Sequence, residues 1–129
     1  MVHFGGIFIS NLGKLFILPG LIQMAAHIKP FLLKFIQEFK LYGSKSVHEE
    51  GKIKYSHMFN CSLTIYGMGL LSFRGLDWNF EDDQIALVVN YIIAPIANGP
   101  SNSRDIFNCM HGLGNMSTQG AFEKLSSPF

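Results

Sequence analysis

Few side chains in this 129-residue sequence stand where they could do chemistry together. Soft metal ligands occur as two pairs, His57 with Cys61 and Cys109 with His111. Zinc takes four nitrogen or sulfur donors, and a His-x3-Cys step at helical spacing presents two of them on one face. These pairs lie far apart in the chain, and neither has the short Cys-to-Cys spacing of a zinc knuckle. No metal site is assigned. The same two cysteines could close one disulfide in an exported chain, and Asn60-Cys61-Ser62 and Asn115-Met116-Ser117 have the form of glycosylation acceptors. Such triplets also arise by chance in a chain with this much Asn and Ser. Without a strong export signal, reduced thiols are expected.

Catalytic patterns fare no better. Asp77, Glu81, Asp82 and Asp83 cluster, but carboxylates at a helix start ordinarily face solvent and complement the helix dipole. The histidines at 3, 27, 48, 57 and 111 are scattered, and none pairs with a nucleophile at a telling spacing. His48-Glu49-Glu50 lacks the second histidine of a zinc-protease helix. Gly67-Met68-Gly69 followed by Ser72 is a fragment of a dinucleotide fingerprint. It lacks the third glycine, and Arg74-Gly75 interrupts the helix that would have to follow. The expectation is a non-enzymatic protein with no catalytic, cofactor-binding or metal residue.

The elements that would position any site are mainly helical. Asn79-Phe80-Glu81-Asp82 reads as a helix start, with Asn79 as the cap and Asp82 in the capping-box position. The helix then runs over about 80–94 and stops at Pro95, buried nearly all round or laid against lipid. Its run from Asp82 to Ile92 resembles the terminal helix of c-type cytochromes, where an acidic start leads into an Ile-Ala-x-Val-x-x-Tyr-Ile pattern. Haem attachment in that family needs two cysteines, two residues apart, before a histidine. Here Phe107 and Met110 occupy those positions before His111. The likeness therefore implies a capped apolar helix and no haem.

Pro30 opens the clearest amphipathic stretch, a helix over 31–42. Leu32, Phe35, Ile36 and Phe39 keep the i, i+3, i+4, i+7 rule, and Gly43 ends it. Lys34 and Lys40 beside Phe35 and Phe39 suit headgroups or a partner groove as well as ordinary inward packing. Before it, a helix is expected over about 12–28. The uncharged run Leu15–Ile28 is short for a membrane span, and extending it back to Phe4 puts Lys14 near its centre. A cleaved signal peptide, an interfacial helix pair broken at Pro19-Gly20 and a buried core helix all remain open. Residues 43–57 read as a polar loop. Cys61–Tyr66 alternates apolar and hydroxyl residues, which predicts a small β-hairpin over 61–74 turning at Gly67-Met68-Gly69. From 98 onward Gly, Ser, Asn and Pro predict a loose tail, so the expected layout is one small domain over 1–97 and a flexible 98–129.

Composition bounds the function. Charged residues are 15% of the chain, the net charge is +1 and the mean hydropathy is +0.23, which argues against bulk nucleic-acid binding. The length excludes a Rossmann dehydrogenase or a TIM barrel. Residues 1–54 carry seven lysines against three glutamates, a net of +4, while 55–129 carry a net of −3. A basic, apolar front half suits an anionic surface, so the leading expectation is a membrane-associated protein that contacts a bilayer or a membrane protein through Lys34, Phe35, Phe39 and Lys40. The alternative is a soluble helical interaction module, located in the cytoplasm. Thirteen Ile against four Val, with many Phe, Asn and Lys, equally fits translation of an AT-rich reading frame without selected function.

Overall fold

The computed structural model describes residues 25–50, 55–99 and 102–118, and nearly all of them are helical. Helix α1 spans Ala25–Glu50 and α2 spans Tyr55–Phe73. A third rod begins as α3 (Asp82–Leu87), passes through π-helical turns at Val88–Ile93 and ends as α4 (Ala94–Asn98). Helix α5 spans Ser103–Thr118. No strand occurs among the described residues.

Helix α2 is the centre. Met58, Cys61, Ile65, Met68 and Leu71 are buried, and so are Ser62, Thr64 and Ser72 on its other flanks. The hairpin expected over 61–74 is therefore corrected to helix, and its alternating pattern has a simple cause. The hydroxyls need no solvent face, because they turn back on their own helix. Thr64 Oγ1 donates to the Asn60 carbonyl at 2.7 Å, and Ser62 Oγ donates to the Phe59 carbonyl at 2.9 Å. Gly67 and Gly69 lie inside this helix and are buried, rather than forming a turn.

Contacts along α2 fix the direction of every neighbour. Lys29 Nζ donates to the Asp77 carbonyl at 2.6 Å, while Phe39 lies beside His57, so α1 runs antiparallel to α2. Trp78 Nε1 donates to the Met68 carbonyl at 3.1 Å, and the Cys61 thiol reaches the Tyr91 carbonyl at 3.8 Å. The third rod therefore also returns antiparallel. Phe59 meets Arg104, Ser62 meets Asp105 and Tyr66 meets His111, so α5 is parallel to α2. The four described rods thus alternate in direction, as in an up-down helical bundle.

Several boundaries differ from the sequence reading. Pro30 and Gly43 sit within α1, which continues through Glu50, and α2 begins at Tyr55. The loop expected over 43–57 is thus corrected to helix at 43–50 and 55–57. Most of the helix expected over 12–28 lies outside the described residues. Asn79 does not cap the third rod. It adopts a left-handed φ of 44°, and Glu81 forms the capping box, with Gln84 Oε1 accepting from the Glu81 backbone N–H at 2.9 Å. That rod is also not buried all round: Ile85, Val88, Ile92 and Ile96 face the core, while Ala86, Val89 and Asn90 are exposed. Pro95 does not stop it. A π-helical segment absorbs the missing N–H, and the Cys61 thiol serves the Tyr91 carbonyl that a residue at 95 would ordinarily bond.

The loose tail expected from 98 is corrected over Ser103–Thr118. Asn102 Oδ1 accepts from the Asp105 backbone N–H at 2.9 Å, and Asp105, Cys109, Gly112 and Met116 form the buried face. Helices α2 and α5 touch backbone to backbone. A methyl built on Gly69 would fall 2.6 Å from the Gly112 Cα, and one built on Gly112 would fall on the Ile65 carbonyl. Gly112→Ala is expected to cost about 3 kcal/mol, since neither backbone can yield. Gly114→Ala, which meets nothing within 4 Å, is expected to be neutral or to stabilise by up to about 1 kcal/mol. Urea unfolding midpoints would measure both, and equal midpoints for the two variants would refute the close crossing.

Candidate functional site

The contact between α2 and α5 gathers most of the chemically capable side chains. His57 and Cys61, one turn apart on α2, bring Nε2 and Sγ to 3.6 Å, and both residues are buried. Asp105 is only 1% exposed, and its carboxylate, 3.1 Å from Ser62 Oγ, shares that hydroxyl's single proton with the Phe59 carbonyl. Arg104 Nε stands 3.6 Å from the same carboxylate, and its guanidinium lies over the Phe59 ring at 4.1 Å. Cys109, one turn beyond Asp105, is also buried. Sequence reading named the His and Cys residues but missed Ser62 and Asp105. Asp105 was legible only through its place three residues after the capping Asn102.

Both cysteines are free. Burial pushes the Cys61 thiol far above its ordinary 9.0, and the neighbouring Cys109 and Asp105 add to the shift. Burial raises Cys109 as well. A nucleophilic or metal-binding cysteine needs the thiolate, which this environment disfavours. Cys61 acts instead as a weak donor, to the Tyr91 carbonyl. Of the two ligand pairs, Cys109 neighbours Cys61, but His111 does not join them. His111 is exposed, its ring 5.4 Å from Tyr66 and 5.7 Å from Phe107. Among the described residues no three His, Cys, Asp or Glu side chains are grouped to hold a metal. Asn60, the first glycosylation candidate, is buried and its carbonyl is engaged by Thr64.

The surface residues expected on α1 separate. Lys34 and Lys40 are exposed, and Phe35 is half-buried with its ring edge-on to Phe31 at 5.2 Å. Phe39 is withdrawn from any surface contact. It lies fully buried in the core beside His57, because the inward stripe of α1 is Leu32, Ile36 and Phe39. Among the α1 residues whose exposure is described, the exposed aromatic is instead Phe31, at 58%. A second apolar surface went unread in the sequence: Ile106, Phe107 and Met110 stand out on the outer face of α5. Reading 103–118 as helix would have revealed it. No helix among the described residues is long and apolar enough to cross a membrane.

No protein-family model matches the chain, and no curated protein or solved structure matches it.

The thiols give a pH test. The folded state holds Cys61 and Cys109 protonated above the pH at which unfolded thiols ionise. Their contribution is therefore intact below about 9 and is lost as pH climbs beyond it. Urea midpoints are expected to fall between pH 8 and pH 10, with a shallower fall in a Cys61→Ser, Cys109→Ser double variant. An identical alkaline slope in both proteins would show that the thiols are not the groups responsible.

Proposed function

We propose that the protein is a small, non-enzymatic, membrane-associated protein that works by contact through its N-terminal half. One observation carries the reading. Phe31 stands exposed on α1 with Lys34 one turn on, directly after the uncharged run Leu15–Ile28 of a front half whose net charge is +4. An aromatic ring flanked by a lysine suits the boundary between headgroups and acyl chains. The non-enzymatic part is supported by the sealed cluster, whose thiols are held protonated and whose carboxylate is already paired with a hydroxyl. Fractionation of cells expressing the chain is expected to leave it in the membrane pellet. Recovery as a detergent-free soluble monomer would overturn the reading.

A second reading, a soluble helical interaction module, rests on α5. Ile106, Phe107 and Met110 form an exposed ridge, and the neighbouring Arg104, itself exposed, lies over Phe59 and beside Asp105. An uncharged apolar ridge on one helix suits the groove of a protein partner. It predicts cooperative thermal unfolding in plain buffer, and a partner whose binding Phe107→Asp weakens at least about tenfold. Binding unchanged in that variant would remove α5 as the contact.

A further inference from the structure

We infer that Cys61 and Cys109 form a reversible disulfide site, closed by exchange with a small-molecule disulfide such as oxidised glutathione. The register of two parallel helices brings the pair together. Gly112 of α5 lies against the Ile65 carbonyl of α2. Cys109 stands three residues before Gly112 and Cys61 four before Ile65, so both are one turn back from that contact. A turn earlier on α5, Asp105 meets Ser62, the residue beside Cys61. Two direct contacts of the same helices therefore bracket the cysteines. Both are free and buried in one core, and Cys109 is near enough for its charge to help raise the Cys61 pKa. Cα atoms joined by a disulfide stand about 4.4–6.8 Å apart, which demands closely packed helices. The crossing at Gly69 and Gly112 supplies that packing.

Exposure sets the order of the steps. Cys109 is the entry sulfur, because it keeps 6% of its surface exposed and Cys61 keeps none. Its thiol gives a proton to water, and the thiolate attacks one sulfur of oxidised glutathione, releasing one glutathione. Cys61 then turns about its Cα–Cβ bond, away from the Tyr91 carbonyl, loses its proton and displaces the second glutathione. Two protein thiols are thereby oxidised to one disulfide, and one glutathione disulfide is reduced to two thiols. Burial holds both thiols protonated at neutral pH, so closure is slow there and quickens as pH rises. The closed bond leaves Cys61 without a proton, so the Tyr91 carbonyl, which Pro95 cannot serve, loses its donor. Closure therefore fastens α5 to α2 and withdraws one hydrogen bond from the π-helical turns of the third rod.

The experiment is incubation of the full chain with oxidised glutathione at about pH 8.5, where ordinary thiols are half ionised, followed by mass spectrometry and urea unfolding. A monomer lighter by two hydrogen atoms is expected, with Cys61 and Cys109 in one crosslinked peptide pair that dithiothreitol separates. Because the bond closes a long loop holding the whole third rod, the urea midpoint is expected to rise by about 1 M or more. Cys61→Ser removes the second thiol, so one glutathione is expected to stay on Cys109 in that variant. In the unaltered chain, no reaction, a crosslink only between chains, glutathione retained on either cysteine, or a lowered midpoint would each overturn the site.

Discussion

Everything described in this fold hangs on two backbones meeting without side chains between them. At Gly69 and Gly112, α2 and α5 approach so closely that a single methyl on either would strike the other helix. Glycine in a helix interior costs about 1 kcal/mol relative to alanine, so two of them at one crossing must be repaid by what the approach permits. Here it permits Ile65, Cys109 and Met116 to share one core, and it brings Asp105 within reach of Ser62. Without that approach α5 would have little to bury, since its inner face is an aspartate, a cysteine, a glycine and a methionine.

The polar cluster follows from the same geometry. A carboxylate at 1% exposure is costly unless its oxygens are served. The Ser62 hydroxyl, the nearby Arg104 and a position in the first turn of α5 all serve it. The pairing is directional, so it sets the register of α5 against α2, which hydrophobic contact alone would leave free to slide. Burial in the same interior holds the cysteines protonated, and the Ser62–Asp105 contact ties α2 to α5.

How much of this was legible varied with what each stretch presented. The stripe of Leu32, Ile36 and Phe39 and the acidic start of the third rod announced helices, because apolar periodicity and dipole-compatible charge are written locally. Helix α2 was misread because its least buried face, Phe59, Leu63, Tyr66 and Leu70, is itself apolar and gives no polar period. Its hydroxyls, satisfied by carbonyls three and four residues back, imitated the alternation of a strand. Helix α5 was missed for the opposite reason. Its Gly, Ser and Asn content signals a loop, and Gly112 belongs to a helix only because α2 lies against it, a fact held by neither segment alone. Phe39 illustrates the limit on sites. Its spacing placed it on the apolar stripe beside Phe35, but only the packed structure shows that Phe39 is the buried member and Phe35 the boundary one.

Exposed apolar side chains are by themselves ordinary, since a small domain cannot cover all of them. What separates the surfaces here is their company. Phe73 is exposed, but the Arg74 guanidinium lies 5.1 Å from the centre of its ring, which supplies a polar neighbour and leaves little unmet. On the α5 ridge His111 neighbours Phe107, while Ile106, Phe107 and Met110 all remain exposed, which suits a protein groove. Phe31 stands in a stretch with lysines, no acidic residue before Glu38 and an apolar run leading into it. In the proposed reading, the exposed ring and the apolar run are what suit a bilayer interface. The asymmetry of charge along the sequence does not become two separate faces in the fold: Lys29 donates to the Asp77 carbonyl, so the start of α1 lies beside the exposed carboxylates that open the third rod, while the buried Asp105 holds α5 in register.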